Sequence, residues 1–251
     1  MPSTRFPEAA ATVLAMAPAI ALAQPLNTNL VVNGDAETGD VSGWIDGGLQ
    51  PRETSVSGSL GVPDCLDIGA FCFTGRTGAS VETLEQRIDV SARAAQIDAG
   101  ELTSVFSILM QSRIVGGARD IARTELEFVD AGGMILESAG FEDAGASGVF
   151  DWSRSSDRRT PPAGTRTIVV RLVATRSSGS STDAYFDLAS LALTDECRPD
   201  VDGDGVLTIF DFLAYQNLFA AGDLGADFDG DCELTLFDFL AFQNAFDAGC
   251  P

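Results

Sequence analysis

The chain has 251 residues, with 15 basic side chains, all arginine, against 37 acidic ones, and it has no histidine. A formal charge of −22 excludes the basic footprint of nucleic-acid binding and attachment to an anionic membrane surface, and favours cations as partners. The missing histidine removes Ser-His-Asp and Cys-His catalysis and histidine-bound zinc, and leaves carboxylate-pair glycosidase chemistry as the enzyme class still open.

Residues 1–23 read as an export signal. Arg5 gives a basic start, Ala9 to Ala23 is almost wholly apolar, and Ala21-Leu22-Ala23 is a small-x-small cleavage pattern that would leave Gln24 first. The run is shorter than the ~20 residues a membrane span needs, and Pro18 interrupts it. The protein is therefore expected to be secreted, extracellular or held at the cell surface. Oxidising surroundings make disulfides the default for Cys65, Cys72, Cys197, Cys232 and Cys250. Cys65 and Cys72 are expected to pair locally. Cys197–Cys250 would clasp the ends of the C-terminal segment, with Cys232–Cys250 as the rival.

From residue 24 to 195 the chain reads as all-β. Short runs rich in Val, Ile, Leu, Phe and Thr alternate with Gly/Ser/Asp turns such as Asn33-Gly34, Asp46-Gly47-Gly48 and Ala131-Gly132-Gly133. Strands are expected at Leu30–Val32, Leu102–Met110, Thr124–Val129, Met134–Leu136, Thr167–Ala174 and Tyr185–Leu193. Apolar residues at 168, 169, 170, 172 and 173 mark a central strand buried on both faces. Only Val90–Ala99 reads as a helical turn. Regular strand spacing without a βαβ rhythm predicts a jelly-roll β-sandwich.

The opening Asn29-Leu30-Val31-Val32-Asn33-Gly34-Asp35-Ala36-Glu37-Thr38-Gly39, with Gly43-Trp44 after it, resembles the start of carbohydrate-binding-module jelly rolls. Asp183-Ala184-Tyr185-Phe186-Asp187-Leu188-Ala189-Ser190-Leu191 is similar to their last strand. The resemblance implies that Glu37 and Asp187 help hold a structural calcium. Hard oxygen ligands from the first and last strands would tie the two ends of the sandwich together. It also implies a carbohydrate ligand, most simply a polysaccharide, for which the aromatic candidates are Trp44, Trp152, Tyr185 and the phenylalanines. Trp44 and Trp152 sit where such domains pack their core.

Residues 197–251 change character, with 11 acidic residues and one arginine from Cys197 onward. Residues 200–222 repeat at 227–249 with 16 identities in 23 positions. Each copy has carboxylates at loop positions 1, 3, 5 and 12: Asp200, Asp202, Asp204 and Asp211, then Asp227, Asp229, Asp231 and Asp238. That is the spacing of an EF-hand-type calcium loop, whose odd positions turn inward onto one point. The carbonyls of Val206 and Glu233 at position 7 add a backbone oxygen, and Thr208 and Thr235 at position 9 offer a site for a ligating water. An all-oxygen donor set selects Ca2+ over zinc or copper. Gly205 suits the sharp turn at position 6, whereas Cys232 at the same place in the second copy carries a β-carbon and predicts weaker binding there.

A helix follows each loop and none precedes it, so the unit is half an EF-hand, duplicated. This tail is similar to GC-type dockerin-like domains ("DGDGxLTIFDFLxFQNxFDxG"), a small all-α fold. The resemblance implies two antiparallel helices, two calcium ions, and docking to a cohesin-like or other surface or scaffold protein. Ile209-Phe210 and Leu236-Phe237 occupy the helix-start positions through which dockerins meet that partner, where Ser or Thr is common; as apolar residues they are expected in part to fill the small core between the helices and in part to form an exposed docking patch. Taken together, the sequence predicts a secreted, non-enzymatic protein, a sugar-binding sandwich held to a surface by a calcium-dependent tail. A glycoside hydrolase using two of Asp120, Glu125, Glu127 and Glu142, or a purely structural surface protein, are the alternatives.

Overall fold

The computed structural model describes residues 26–56, 66–75, 79–115, 117–143, 146–147, 151–195, 197–231 and 233–250. The export signal, Cys65 and Cys232 lie outside these, and so do the Cys65–Cys72 pairing and the strain expected at Cys232. The strands are β1 (Ile45–Gly47), β2 (Gln50–Glu53), β3 (Phe71–Thr74), β4 (Val81–Asp89), β5 (Thr103–Val115), β6 (Ala118–Arg119), β7 (Ile121–Val129), β8 (Ile135–Glu142), β9 (Ala146–Ser147), β10 (Ser153–Arg159), β11 (Thr167–Thr175) and β12 (Ala184–Thr194). The helices are α1 (Ala94–Ala99), α2 (Ile209–Ala221) and α3 (Leu236–Ala248). None of these helices is long and apolar enough to cross a membrane.

Two antiparallel sheets face each other. One has the order β1-β4-β11-β7-β8, and the other has β10-β5-β12-β3-β2 with the short β6 and β9 attached to β5. The main core between them holds Trp44, Phe73, Leu84, Phe106, Leu126, Phe128, Leu172, Phe186 and Leu191. Strand β11 is central, between β4 and β7, as its nearly continuous apolar run requires. In the second sheet alternate residues turn to the opposite face. There Leu109, Cys72 and Tyr185 meet Ile68 and Trp152 in a smaller cluster. This sheet is thus covered on both sides, which explains why β5 and β12 carry apolar residues at both parities.

Three differences from the sequence reading have local causes. Leu30–Val32 is not a strand; it runs beside β12, with Leu30 N–H donating to Leu191 O at 2.7 Å. Strand β4 alternates cleanly, but its inward positions are Glu82, Leu84, Gln86 and Ile88, so half the apolar signal is missing. Strand β10 is Ser-Arg-Ser-Ser-Asp-Arg-Arg, an edge strand paired to β5 along its length, with no apolar run to announce it.

In the tail, α2 and α3 pack through residues that meet their own counterparts. Tyr215 stacks on Phe242 with ring centroids 4.2 Å apart, and Phe212 meets Phe239 edge-on at 6.0 Å. Fully buried apolar residues here are few: Tyr215, Ala226, Phe228 and Phe242. A unit this small draws little stability from its core and needs clamps. One is the Cys197–Cys250 disulfide, with Cα atoms 4.9 Å apart across 53 residues of sequence. Closing a loop of that length removes about 4 kcal/mol of unfolded-state entropy. Reduction is therefore expected to lower the urea midpoint of the helical signal. An unchanged midpoint would show that the clamp adds nothing.

Candidate metal centres and docking face

Each loop of the tail is shaped by short side-chain-to-backbone bonds before any ligand is considered. In the first, Asp200 accepts from the amides of Gly203 (2.9 Å), Asp204 (3.1 Å) and Gly205 (2.8 Å). Gly203 and Gly205 have φ of 75° and 83°, a region that glycine enters at low cost. Asp204 accepts from Val206 N–H at 2.8 Å. The second loop repeats the pattern, with Asp227 accepting from Gly230 at 2.6 Å and Asp231 from Glu233 at 2.8 Å.

The twelfth residue has two structural tasks. Asp211 accepts from Thr208 N–H at 2.7 Å, and Thr208 Oγ1 accepts from Phe210 N–H at 3.1 Å, making a capping box at the start of α2. Asp211 also accepts from Asp202 N–H at 3.3 Å. Asp238 does the same with Thr235 at 2.7 Å and Asp229 at 3.2 Å. Thr208 and Thr235, at loop position 9, are thus helix caps. Both Asp211 and Asp238 are fully buried.

The two loops converge unequally. In the second, Asp227, Asp229, Asp231 and Asp238 each offer a carboxylate oxygen within 4.8 Å of the others. In the first, Asp200, Asp202 and Asp204 converge in this way and Asp211 stands outside the group. Val206 and Glu233 lie in the loops at the expected position 7. Like charges so close raise one another's proton affinity. Asp229 is pushed up to about 6 by burial, and by the charges of Asp238, Asp231 and Asp227. Asp202 is raised by partial desolvation and by Asp204, Asp211 and Asp200. A hard divalent cation would relieve both loops, and the all-oxygen donors suit calcium.

A third acidic site lies in the sandwich. Asp187 on β12 is fully buried, its Oδ1 accepts from Leu188 N–H at 2.7 Å, and its Oδ2 has no partner. Leu188 has φ of 49°, and the β5–β12 register shifts just there. Burial, then the charges of Glu37, Asp35 and Asp67, lift the Asp187 carboxyl to about 9. Glu37 reaches the site from the opening loop, its Oε1 accepting from Ala70 (2.8 Å) and Phe71 (2.7 Å). Fold closure therefore brings Glu37 and Asp187 into one electrostatic neighbourhood, although the three-carboxylate groups within 4.8 Å found among the described residues are the two loops alone. Asp35 and Asp67 were not singled out from sequence. Asp35 stands inside the Asn-Gly-Asp opening, whereas nothing in sequence marks Asp67.

The helix starts form the exposed apolar face of the tail. Ile209 and Phe210 are each 63% exposed, and Leu236 and Phe237 are 66% and 67% exposed. Leu213 and Leu240 extend the patch in each copy. In the sandwich the aromatic candidates are packed away: Trp44 and Trp152 are buried, Trp44 Nε1 donates to Asn33 O at 3.0 Å, and Tyr185 is buried. A cavity of about 410 Å³ lies beside them, lined by Asp35, Ser107, Leu109, Arg154, Leu188 and Ser190 among others.

The acids weighed for catalysis are all engaged. Asp120 accepts from the amides of Ser177 (2.7 Å) and Asp183 (2.8 Å), which pins a turn. Glu125 and Glu127 grip Arg171 at 2.7 and 3.1 Å, with Glu85 on its other side at 2.8 Å. Glu142 pairs with Arg119 at 2.6 Å. These are structural bonds across a sheet face and its edge.

No protein-family model matches this chain, and no curated protein matches it. Solved structures similar to it include the enzymatically active domain of tailspike protein 4 from bacteriophage CBA120, at TM-score 0.47 and 14% identity over 66% of this chain. The chain spans only 21% of that protein. TmCBM61 in complex with β-1,4-galactotriose aligns at TM-score 0.42 and 15% identity, covering 67% of this chain and 99% of that one. A family 16 carbohydrate-binding module aligns at 0.41 and 20% identity, covering 65% and 99%.

Proposed function

We propose that this is a secreted, non-enzymatic attachment protein. Its dockerin-like tail, shaped by one calcium ion in each loop, docks to a cohesin-like or other surface or scaffold protein. Its β-sandwich, tied at its ends by calcium between Glu37 and Asp187, carries the polysaccharide-binding role. The observation that carries this reading is the duplicated pair of exposed apolar residues, Ile209-Phe210 and Leu236-Phe237, at the starts of helices whose caps belong to paired acidic loops. Exposed apolar patches on a small, acidic protein are costly in water and mark contact surfaces. Each loop's twelfth residue is part of the helix cap, so cation binding sets the direction in which that pair points.

The docking role is tested with Phe210→Ser plus Phe237→Ser in the full chain. Both side chains are exposed, so the melting temperature is expected to stay within a degree or two of the parent. Calcium-dependent retention on isolated cell envelopes or on an immobilised cohesin-type domain is expected to be lost. Undiminished retention would remove the docking assignment.

A structural surface protein remains the second reading, favoured by one observation. Among the described residues of the sandwich Trp44, Trp152 and Tyr185 are buried, and none of the aromatic rings is fully exposed as a stacking platform. A polysaccharide panel probed with the full chain decides between the two. Binding supports the carbohydrate role, and silence across the panel leaves the structural one.

A further inference from the structure

The two loops share eight of their twelve residues, every ligand carboxylate among them, yet they sit in different surroundings. Among the described residues, all hydrogen bonds of residues 200–211 stay within the tail and no arginine donates to this loop. The second loop is gripped from outside. Arg154, on the edge strand β10, donates to Gly230 O, and Ser156 Oγ donates to Asp229 O at 3.4 Å. Arg198 donates to Phe228 O at 2.8 Å and to Asp227 O, and its guanidinium lies over the Phe228 ring at 4.2 Å. The donors therefore go to main-chain oxygens along the outer rim, where they fix the backbone from which Asp227, Asp229 and Asp231 project.

This comparison is an internal control. The loop with a braced backbone gathers all four of its carboxylates within 4.8 Å, and the unbraced loop gathers three. The geometry points to β10 as an intramolecular dock for the second loop, with Arg154 as a positioning residue that raises that loop's affinity for a divalent cation. Two effects oppose here. A guanidinium close to the site repels the incoming cation, which would weaken binding. A backbone already held in the binding conformation spares the ion the work of ordering it, which strengthens binding. The complete carboxylate set in the braced loop decides for the second effect. By linkage, an ion in this loop also holds the tail against the sandwich, whereas an ion in the first loop leaves that contact unchanged.

The inference rests on the calcium reading of the loops, and its test separates the two. Calcium alone is titrated by calorimetry into the full chain with Asp200→Ala, where the first loop is disabled, and again with Arg154→Ala added. Calcium affinity of the second loop is expected to fall about tenfold. In the mirror pair, Asp227→Ala with and without Arg154→Ala, the first loop's affinity is expected to stay the same. Tryptophan fluorescence, which reports only the sandwich, verifies that this domain folds in each variant, and the far-ultraviolet helical signal in calcium does the same for the tail. Small-angle scattering adds a readout of shape: calcium is expected to compact the Asp200→Ala protein, and less so once Arg154 is gone. Unchanged or tighter binding by the second loop on losing Arg154 overturns the brace while the calcium reading stands. A calcium isotherm of the Asp200→Ala parent that Asp227→Ala leaves unchanged, so that the second loop takes no ion, overturns both.

Discussion

In chelator, the stability of the β-sandwich is expected to fall as pH rises from about 4 to about 9, and Asp187→Asn is expected to abolish this slope. The folded-state carboxyl of Asp187 is lifted to about 9 from an ordinary value of 3.8, first by burial and then by the charges of Glu37, Asp35 and Asp67. A raised folded-state value means that the native protein binds the proton more tightly than the unfolded chain does. Stability from this group is thus complete below about 4, and is lost as pH climbs through the folded-state value. The slope between those limits approaches about 1.4 kcal/mol per pH unit. The residue is fully buried, so solvent screens little of this.

Calcium changes the sign of the effect. An ionised, unpartnered Oδ2 is a liability without a cation and a ligand with one. Calcium at pH 8 is expected to stabilise the parent sandwich and to do much less for Asp187→Asn, while in chelator the variant is the more stable of the two. Urea melts followed by tryptophan fluorescence read this cleanly, because Trp44 and Trp152 both lie in the sandwich. Equal pH slopes for the two proteins in chelator would remove the site.

The second large effect is on the tail. Removing divalent cations at neutral pH is expected to cost α2 and α3 most of their helical signal while tryptophan fluorescence stays native. Pairs of carboxylates within 4.8 Å repel by about 1 kcal/mol each even at the dielectric constant of water, and the second loop has four such groups. The core beneath them is too small to absorb that repulsion, and Asp211 and Asp238 also cap the helices. Metal binding and helix formation are therefore expected to be one equilibrium. Calcium titration of the parent is expected to show both tail sites, and Asp200→Ala is expected to lose one. Full helicity in excess chelator would separate metal from folding.

The tail was the most legible part. Its chemistry is written within twelve consecutive residues and then written again, so the spacing of Asp200, Asp202 and Asp204 already states which oxygens can meet. The helices after each loop were readable for the same reason. The exposure of Ile209-Phe210 and Leu236-Phe237 was not, because an apolar pair at a helix start reads equally as core, and sequence left Cys232 as a rival partner for Cys250. In the sandwich, β11 announced itself through an apolar run. Strands β4 and β10 did not, because Glu82 and Gln86 face inward in one and the other is a polar edge held by backbone bonds.

What sequence could not supply were relations between distant segments. Glu37 and Asp187 were marked as a pair by resemblance alone. That Asp187 has no solvent and a bare oxygen follows from β5, β12 and the opening loop closing around it. The role of Arg154 was equally hidden, since its partner lies 76 positions away on the far side of the domain boundary. Local spacing determines which ligands a loop can present. Only the packing of remote elements determines how dry a carboxylate is and whether the backbone beneath it is held, because both depend on segments that sequence spacing does not relate.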